Sequence, residues 1–244
     1  MIPHELLNDN YTLERAEAIQ IKYLNKLNKQ NVNQITLEDY NEIHYVAGID
    51  VSYYEKSESE HGVSCAVLWD IKNDKIIEKK IVEAPITFPY KAGLLGFREC
   101  SLLAKALQKL ENSPELIMCD GHGIIHPRRF GEAVQLGYAL DIPSFGVAKN
   151  PFVGFFEFEL IGKNKGDKTP ILAEQPKTDL ITSKDFLGYA TRLRDNAKPV
   201  YISVGYKITL DLAIKIALNT TMEHRQPEPL FLADRFSREK IKET

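Results

Sequence analysis

Four acids stand where an acid is expensive. Asp50 lies inside Tyr45-Val-Ala-Gly-Ile-Asp-Val-Ser-Tyr-Tyr54, where alternation puts Val46, Gly48, Asp50 and Ser52 on one side of a strand. Asp120 ends the apolar run Leu116-Ile-Met-Cys119 and opens the glycine-flanked loop Gly121-His122-Gly123. Glu99 falls in the stripe Leu95, Glu99, Leu102, Leu103, Ala106, Leu110 of a helix expected over Leu94 to Leu110. Asp234 sits among Leu230, Leu232 and Ala233 after Pro227-Glu-Pro229. A buried carboxylate must be paired, protonated or bound to a cation. Two of them about 4 Å apart repel by about 4 kcal/mol at an effective dielectric near 20. A converging set therefore stays ionised only around cations, and oxygen donors select hard ions such as Mg²⁺, with Mn²⁺ able to substitute. Such ions lower the pKa of bound water and stabilise charge on a phosphoryl group. Lys149, at the end of Ile142-Pro-Ser-Phe-Gly-Val-Ala-Lys149, adds a positive charge to that chemistry. Taken singly, the acids have ordinary readings: Asp120 caps a turn, and Glu99 snorkels to water from the edge of its stripe.

The elements that must position these groups read as an α/β chain. The strand at Tyr45–Tyr54, Val63 to Ile71 and Lys75 to Val82 form an antiparallel meander, with Lys72-Asn73-Asp74 as a turn. The strand ending at Asp120, a helix opening at Pro127-Arg128-Arg129 with Phe130, Ala133, Val134 and Gly137 on one face, and the strand ending at Lys149 make a parallel pair with a right-handed crossover. That places Asp120 and Lys149 at one carboxyl edge, where open α/β sheets collect ligands. Thr12 caps a first helix over 12–27 whose Ala16, Ile19, Tyr23 and Leu27 share a face, and the polar stretch 28–44 is a spacer. Phe152 to Ile161, Lys184 to Arg192 and Pro199 to Val204 read as short strands. The tip Gly162-Lys-Asn-Lys-Gly-Asp-Lys168 is basic, either merely solvated or in contact with DNA. Thr209 caps a helix carrying Leu210, Ala213, Ile214, Ala217 and Leu218, and a last helix covers Leu230 to Lys240.

Composition bounds the reading. A chain of 244 residues, 43% hydrophobic and 27% charged, is ordinary globular protein. Cys65, Cys100 and Cys119 lack C-x-x-C spacing, which points to reduced thiols rather than disulfides or zinc. With no leader-like segment and no long apolar run, a cytoplasmic protein without a membrane partner is expected. The net charge of −3 does not exclude a polyanionic substrate, because cations among the acids would cancel their repulsion.

The ordered motifs resemble endonuclease V. They are Val46-Ala-Gly-Ile-Asp50-Val-Ser, Ile86-Thr-Phe-Pro89-Tyr90, Gly93-Leu-Leu-Gly-Phe-Arg-Glu99, Asp120-Gly-His-Gly, His126-Pro-Arg128, Asp141-Ile-Pro-Ser-Phe-Gly-Val-Ala-Lys149 and Pro227-Glu-Pro-Leu-Phe-Leu-Ala-Asp234. The resemblance implies a ribonuclease H-like fold: a mixed central β-sheet, its first three strands antiparallel, with helices on both faces, in a single catalytic domain over residues 1–244. It implies an endonuclease that recognises inosine in DNA and cuts the second phosphodiester bond 3′ to it, leaving 3′-hydroxyl and 5′-phosphate ends. Asp50 and Asp120 match the central metal ligands. Glu99 matches a further ligand or the holder of a metal-bound water, Asp234 the fourth metal position, and Lys149 the lysine near the scissile phosphate.

Around the lesion the resemblance implies a strand-separating wedge, Pro-Tyr-Ile-Pro in the family and Pro89-Tyr90-Lys91-Ala92 here. Gly93, Gly121 and Gly123 let the backbone approach an extruded base, and Leu95 and His126 are candidate walls. His126 is either a base contact or a hydrogen-bonding strut. His122 stands where Gln is common, Arg128 is a candidate nucleic-acid contact, and Tyr206 stands where many members have His. A monomer acting on DNA is expected. The alternatives are an endoribonuclease acting on inosine in RNA, which turns on 2′-hydroxyl contacts, and a protein that binds inosine without cutting.

Overall fold

The computed structural model describes residues 3–30, 37–174 and 186–243. Strands β1 (Tyr45–Lys56), β2 (Ser59–Asp70) and β3 (Lys75–Pro85) form the expected antiparallel meander. β1 and β2 are joined at Ser57 and Glu58, both at positive φ (51° and 62°), the twist that a tight hairpin needs although neither residue is glycine. The hairpin therefore runs further than its apolar residues suggest. Asp70 Oδ1 accepts the main-chain N–H groups of Lys72 and Asn73, each at 3.0 Å, which shapes the next turn.

Helix α1 (Leu13–Gln30) precedes the meander; α2 (Leu95–Gln108), β4 (Leu116–Cys119), α3 (Glu132–Leu140) and β5 (Ser144–Ala148) follow it. β4 lies parallel between β1 and β5. Beyond these come β6 (Lys168–Leu172), β7 (Phe186–Thr191), β8 (Val200–Tyr206), α4 (Leu210–Asn219) and α5 (Glu228–Lys242). The sheet has eight strands in the order β3-β2-β1-β4-β5-β8-β7-β6. It is mixed, with helices on both faces, as in a ribonuclease H-like fold.

Strand alternation decides which helix meets which face. Val46, Met118 and Phe145 pack with α4 and Leu230 of α5, while Ala47, Ile49, Ile117 and Cys119 pack with α2 and α3. α1 lies over α2 and α3, burying Ala16, Ile19, Tyr23 and Leu27 against Phe97, Phe130 and Val134. Each large apolar side chain buried there contributes about 1.5–3 kcal/mol. Arg15 N–H donates to Thr12 Oγ1 at 3.2 Å, the expected cap. The three cysteines are free and buried. Among the described residues no helix is long and apolar enough to cross a membrane.

Three local expectations are corrected. The crossover helix begins at Glu132, not at Pro127; residues 127–131 are a turn with Arg129 at φ 52°, closed by Arg129 N–H to His126 O at 2.9 Å. Phe152–Ile161 is no strand but irregular chain with a short 3-10 turn at Phe158–Leu160 and a lone bridge from Phe155 to Leu172. Its aromatic residues carried a strand-like composition, and they serve instead as packing and surface residues. Lys168, placed at the end of a basic tip, begins β6, whose Pro170 pairs with Tyr189 and was not anticipated as strand. The expected strand from Lys184 starts outside the described residues and is seen from Phe186.

Candidate active site

Two parallel strand ends create the site. Ile49 and Cys119 are partners in the β1–β4 register, so Asp50 and Asp120 follow as neighbours, and Asp120 N–H donates to Ile49 O at 3.3 Å. Lys149 comes one residue after β5, the next parallel strand, and its Nζ lies 2.5 Å from Asp120 Oδ2. Asp234 arrives from α5. That helix can settle onto β1 because Gly48 has no side chain: a Cβ there would stand 2.3 Å from the carbonyl carbon of Pro229. Ser52 and Ser237 bond Oγ to Oγ at 2.7 Å along the same seam. Asp50, Lys149 and Asp234 line a cleft of about 610 Å³ with Ser52, Tyr53 and Arg238.

Glu99 approaches from the other face. The sequence stripe set it towards the same core as Asp50, but strand alternation turns Asp50 to α5 while Glu99 hangs from α2. It is buried, with Tyr53 OH donating to its Oε1, and it does not line the Asp50–Asp234 cleft. The groups meet electrostatically beyond the strand ends. Burial pushes the Asp50 carboxyl well above its ordinary range, and the charge of Asp120 adds to this, with Asp234 and Glu99 contributing further. Burial likewise pushes Glu99 up to about 7, opposed by the Tyr53 hydrogen bond and reinforced by Asp120. For Lys149 burial works against the charge, yet Asp120 beside it holds its pKa above the ordinary value.

The donor set suits a hard divalent ion: carboxylate oxygens whose mutual repulsion a cation would relieve. Among the described residues no group of three acids, histidines or cysteines already encloses an ion position, and the Lys149 ammonium occupies the Asp120 oxygen instead. Asp234 is bonded to Arg238 Nε at 2.9 Å.

A second cleft, of about 200 Å³, adjoins this centre through Gly121 and Glu132. Of the residues expected around the lesion, Tyr90, Gly93, Leu95, Gly121, His122 and His126 line it; Pro89, Gly123 and Arg128 do not. Tyr90 is 74% exposed at its rim, facing solvent. His126 is a strut: Nε2 bonds Gly93 O at 3.0 Å, and Nδ1 accepts the N–H groups of Arg128 (3.2 Å) and Phe130 (3.3 Å), which fixes the neutral tautomer. Burial lowers the pKa of both His122 and His126 to about 4, so both rings are neutral at pH 7.

Gly123 packs on β8, its N–H donating to Ser203 Oγ at 3.0 Å. Arg128, expected as a nucleic-acid contact, is placed in an internal network. Its guanidinium donates to Gln20 Oε1 (2.6 Å), Glu17 Oε1 (3.2 Å) and Gly93 O (2.8 Å). Tyr206 lies away from both clefts, donating to Asp141 Oδ1 at 2.8 Å and packing edge-on to Tyr138.

Two residues escaped the sequence reading. Glu132 is buried in contact with Glu99, lacks a partner for Oε2, and has its pKa pushed well up by burial and then by the Glu99 charge. In the helix expected from Pro127 it fell off the face of Phe130, Ala133, Val134 and Gly137, where an acid reads as solvated. Gln20 sits on the apolar stripe of α1, between Ala16 and Tyr23; that misplaced polar residue was the available signal.

The profile of the endonuclease V family matches residues 26–235. The chain belongs to the endonuclease V family. An endonuclease V of Rippkaea orientalis is 37% identical over 231 residues, covering 94% of this chain and 92% of that protein. The crystal structure of the Bacillus subtilis endonuclease V superposes with a TM-score of 0.82 at 28% identity, covering 96% of this chain and 94% of that one. That of Ciona intestinalis endonuclease V, in complex with a 24mer DNA containing an inosine followed by a ribo-adenosine, gives 0.71 at 28% identity, covering 92% and 98%. As an endonuclease V family member the protein is a nuclease, a hydrolase of phosphodiester bonds, and not a binder that leaves its target uncut.

Proposed function

We propose that this endonuclease V family member recognises inosine in DNA and hydrolyses the second phosphodiester bond on its 3′ side, leaving a 3′-hydroxyl and a 5′-phosphate in a DNA-repair role. The observation that carries the reading is adjacency: a cleft with two neutral histidines in its wall and an exposed tyrosine at its rim opens beside converging carboxylates and a lysine. The Ciona relative bound to inosine-containing DNA supports the same substrate.

Asp50, Asp120 and Asp234 would hold a divalent ion, Mg²⁺ or Mn²⁺, with Glu99 as a further ligand or the holder of a water. The bound ion supplies Lewis acidity and neutralises charge at the scissile phosphate. The chain's own residues do the rest. Lys149 holds a positive charge at the cluster, where the transition state gathers negative charge. Tyr90 enters the space left by the extruded base. Gly121 and Leu95 bring backbone and apolar surface to that base, and neutral His122 and His126 present no charge to it, so a purine is read by shape and by hydrogen bonds at its edges. Arg128 is left out of the contact set because Nε, Nη1 and Nη2 each already hold an internal acceptor.

The second reading, inosine in RNA, draws support from the ribo-adenosine that follows inosine in the Ciona complex. One experiment addresses both. Labelled strands carrying a single deoxyinosine or inosine are incubated with the protein, with and without Mg²⁺ or Mn²⁺, and the cut is mapped. Metal-dependent scission directly on the 3′ side of the lesion's 3′ neighbour, faster on DNA, is the expected result. Faster cutting of RNA would select the second reading, and no metal-dependent cut on either strand would overturn both.

A further inference from the structure

We propose that α1 belongs to the recognition apparatus, with Gln20 as a positioning residue that fixes the base of the Tyr90 loop. The inference rests on the reading of Tyr90 as the wedge. The loop is pinned at each end. At its start Phe88 is buried, and its carbonyl accepts Arg98 Nη1 at 2.6 Å. At its end the Gly93 carbonyl receives Arg128 Nη2 (2.8 Å), Gln20 Nε2 (3.0 Å) and His126 Nε2 (3.0 Å). A carbonyl oxygen offers two lone pairs, so three donors make it a fixed point of the structure.

Gly93 is also the joint itself, at φ 84°, and the turn closes through Leu94 N–H to Lys91 O at 2.9 Å. Tyr90 projects between the pins, largely exposed.

Gln20 makes the second pin a network. Its side chain is 1% exposed, donates also to Phe130 O at 3.2 Å, and accepts Arg128 Nε at 2.6 Å. Glu17, one helical turn earlier, takes Arg128 Nη1 at 3.2 Å. α1 thus reaches the wedge, the turn before α3 and the floor of the cleft through one amide. Gln20 precedes residue 26, where the match to the family profile starts, so this strut comes from a segment that the profile does not cover.

The mechanical logic is direct. Inserting a side chain into a base stack works against unstacking, a few kcal/mol per step, and a loop that yields transmits none of that force to the DNA. A rigid carbonyl anchor three residues behind the tyrosine supplies the resistance.

The test compares cleavage of one inosine strand, as a duplex and alone, by the wild type and by Gln20→Leu, Tyr90→Ala and the double variant, with thermal midpoints alongside. We expect Gln20→Leu to lower the duplex-to-single-strand ratio by about tenfold, and the double variant to fall no lower than Tyr90→Ala, the non-additivity of residues acting as one unit. Independent, multiplying losses would assign Gln20 to general packing and overturn the proposal. So would an unchanged ratio in Gln20→Leu where Tyr90→Ala lowers it. An unchanged ratio in Tyr90→Ala instead overturns the wedge reading, and the brace with it. If Gln20→Leu does not fold, Arg128→Lys, which loses the forked contact to Gly93 and Gln20 while keeping the charge, takes its place in the same cycle with the same criteria.

Discussion

The two clefts differ in how complete they are before a ligand arrives. Around the Tyr90 cleft the polar groups of Gly93, His126, Arg128 and Gln20 satisfy one another and both histidines are neutral. At the strand ends the opposite holds: Asp50 and Glu99 are pushed towards protonation, Glu132 is left with an unpartnered oxygen, and Lys149 is held on Asp120. One half is a nearly finished mould, with His122 Nδ1 a buried atom lacking a partner. The other is charge stored without its counter-charge, and it is the half that a cation would complete.

The largest expected effect breaks the charged half alone. Asp120→Ala should reduce cleavage by about a thousandfold or more, since charge stabilisation at a reacting phosphate carries much of the rate, while inosine-strand binding stays measurable by gel shift. Retained cleavage would remove Asp120 from the centre.

Next comes stability. Glu99 is raised from 4.5 to about 7, so its carboxyl favours the fold below pH 4.5 and that contribution is lost as pH rises through 7. Glu99→Gln should therefore stabilise the metal-free protein at pH 8, with the gain vanishing near pH 4. The histidines, lowered to about 4, lose stability as pH falls from 6.5, equally in both proteins, so they cancel in the difference. Denaturant midpoints at several pH values check this. The same scan with Mn²⁺ should raise the unfolding free energy of the wild type by about 2.7 kcal/mol at a hundred times its dissociation constant and leave Asp50→Asn unmoved.

On the neutral side, Tyr90→Ala should lower discrimination between inosine-containing and undamaged duplex by about tenfold, a loss on the scale of one aromatic stacking contact, with metal affinity unchanged. The smallest effect is a null one. Because the Arg128 guanidinium is held on Gln20, Glu17 and Gly93, Arg128→Ala should leave the salt dependence of DNA binding at the wild-type slope. A phosphate contact would change that slope by about one unit, and finding that change would return Arg128 to the interface.

Some of this was legible in the linear chain. The meander, the parallel pair and the positions of Asp50 and Asp120 follow from period-two alternation and from apolar runs that end on acids, which are local signals. Glu132 and Gln20 were not read, because an acid off a helix's apolar face and a lone amide on a stripe each have an innocent local meaning. Phe152–Ile161 misled because aromatic and β-branched content measures a liking for packing, not for pairing.

The order of residues alone singled out the candidate groups: acids at 50, 99, 120 and 234, a lysine at 149 and a tyrosine at 90, each costly or conspicuous where it stands. Only the tertiary structure decided that Asp50 and Glu99 reach the centre from opposite faces of the sheet, that Arg128 turns inward, and that an N-terminal helix holds the loop of Tyr90. Side-chain direction and hydrogen-bond partners depend on which face of a strand meets which helix. That is settled by burying all the apolar stripes at once, and no single stretch of residues contains it.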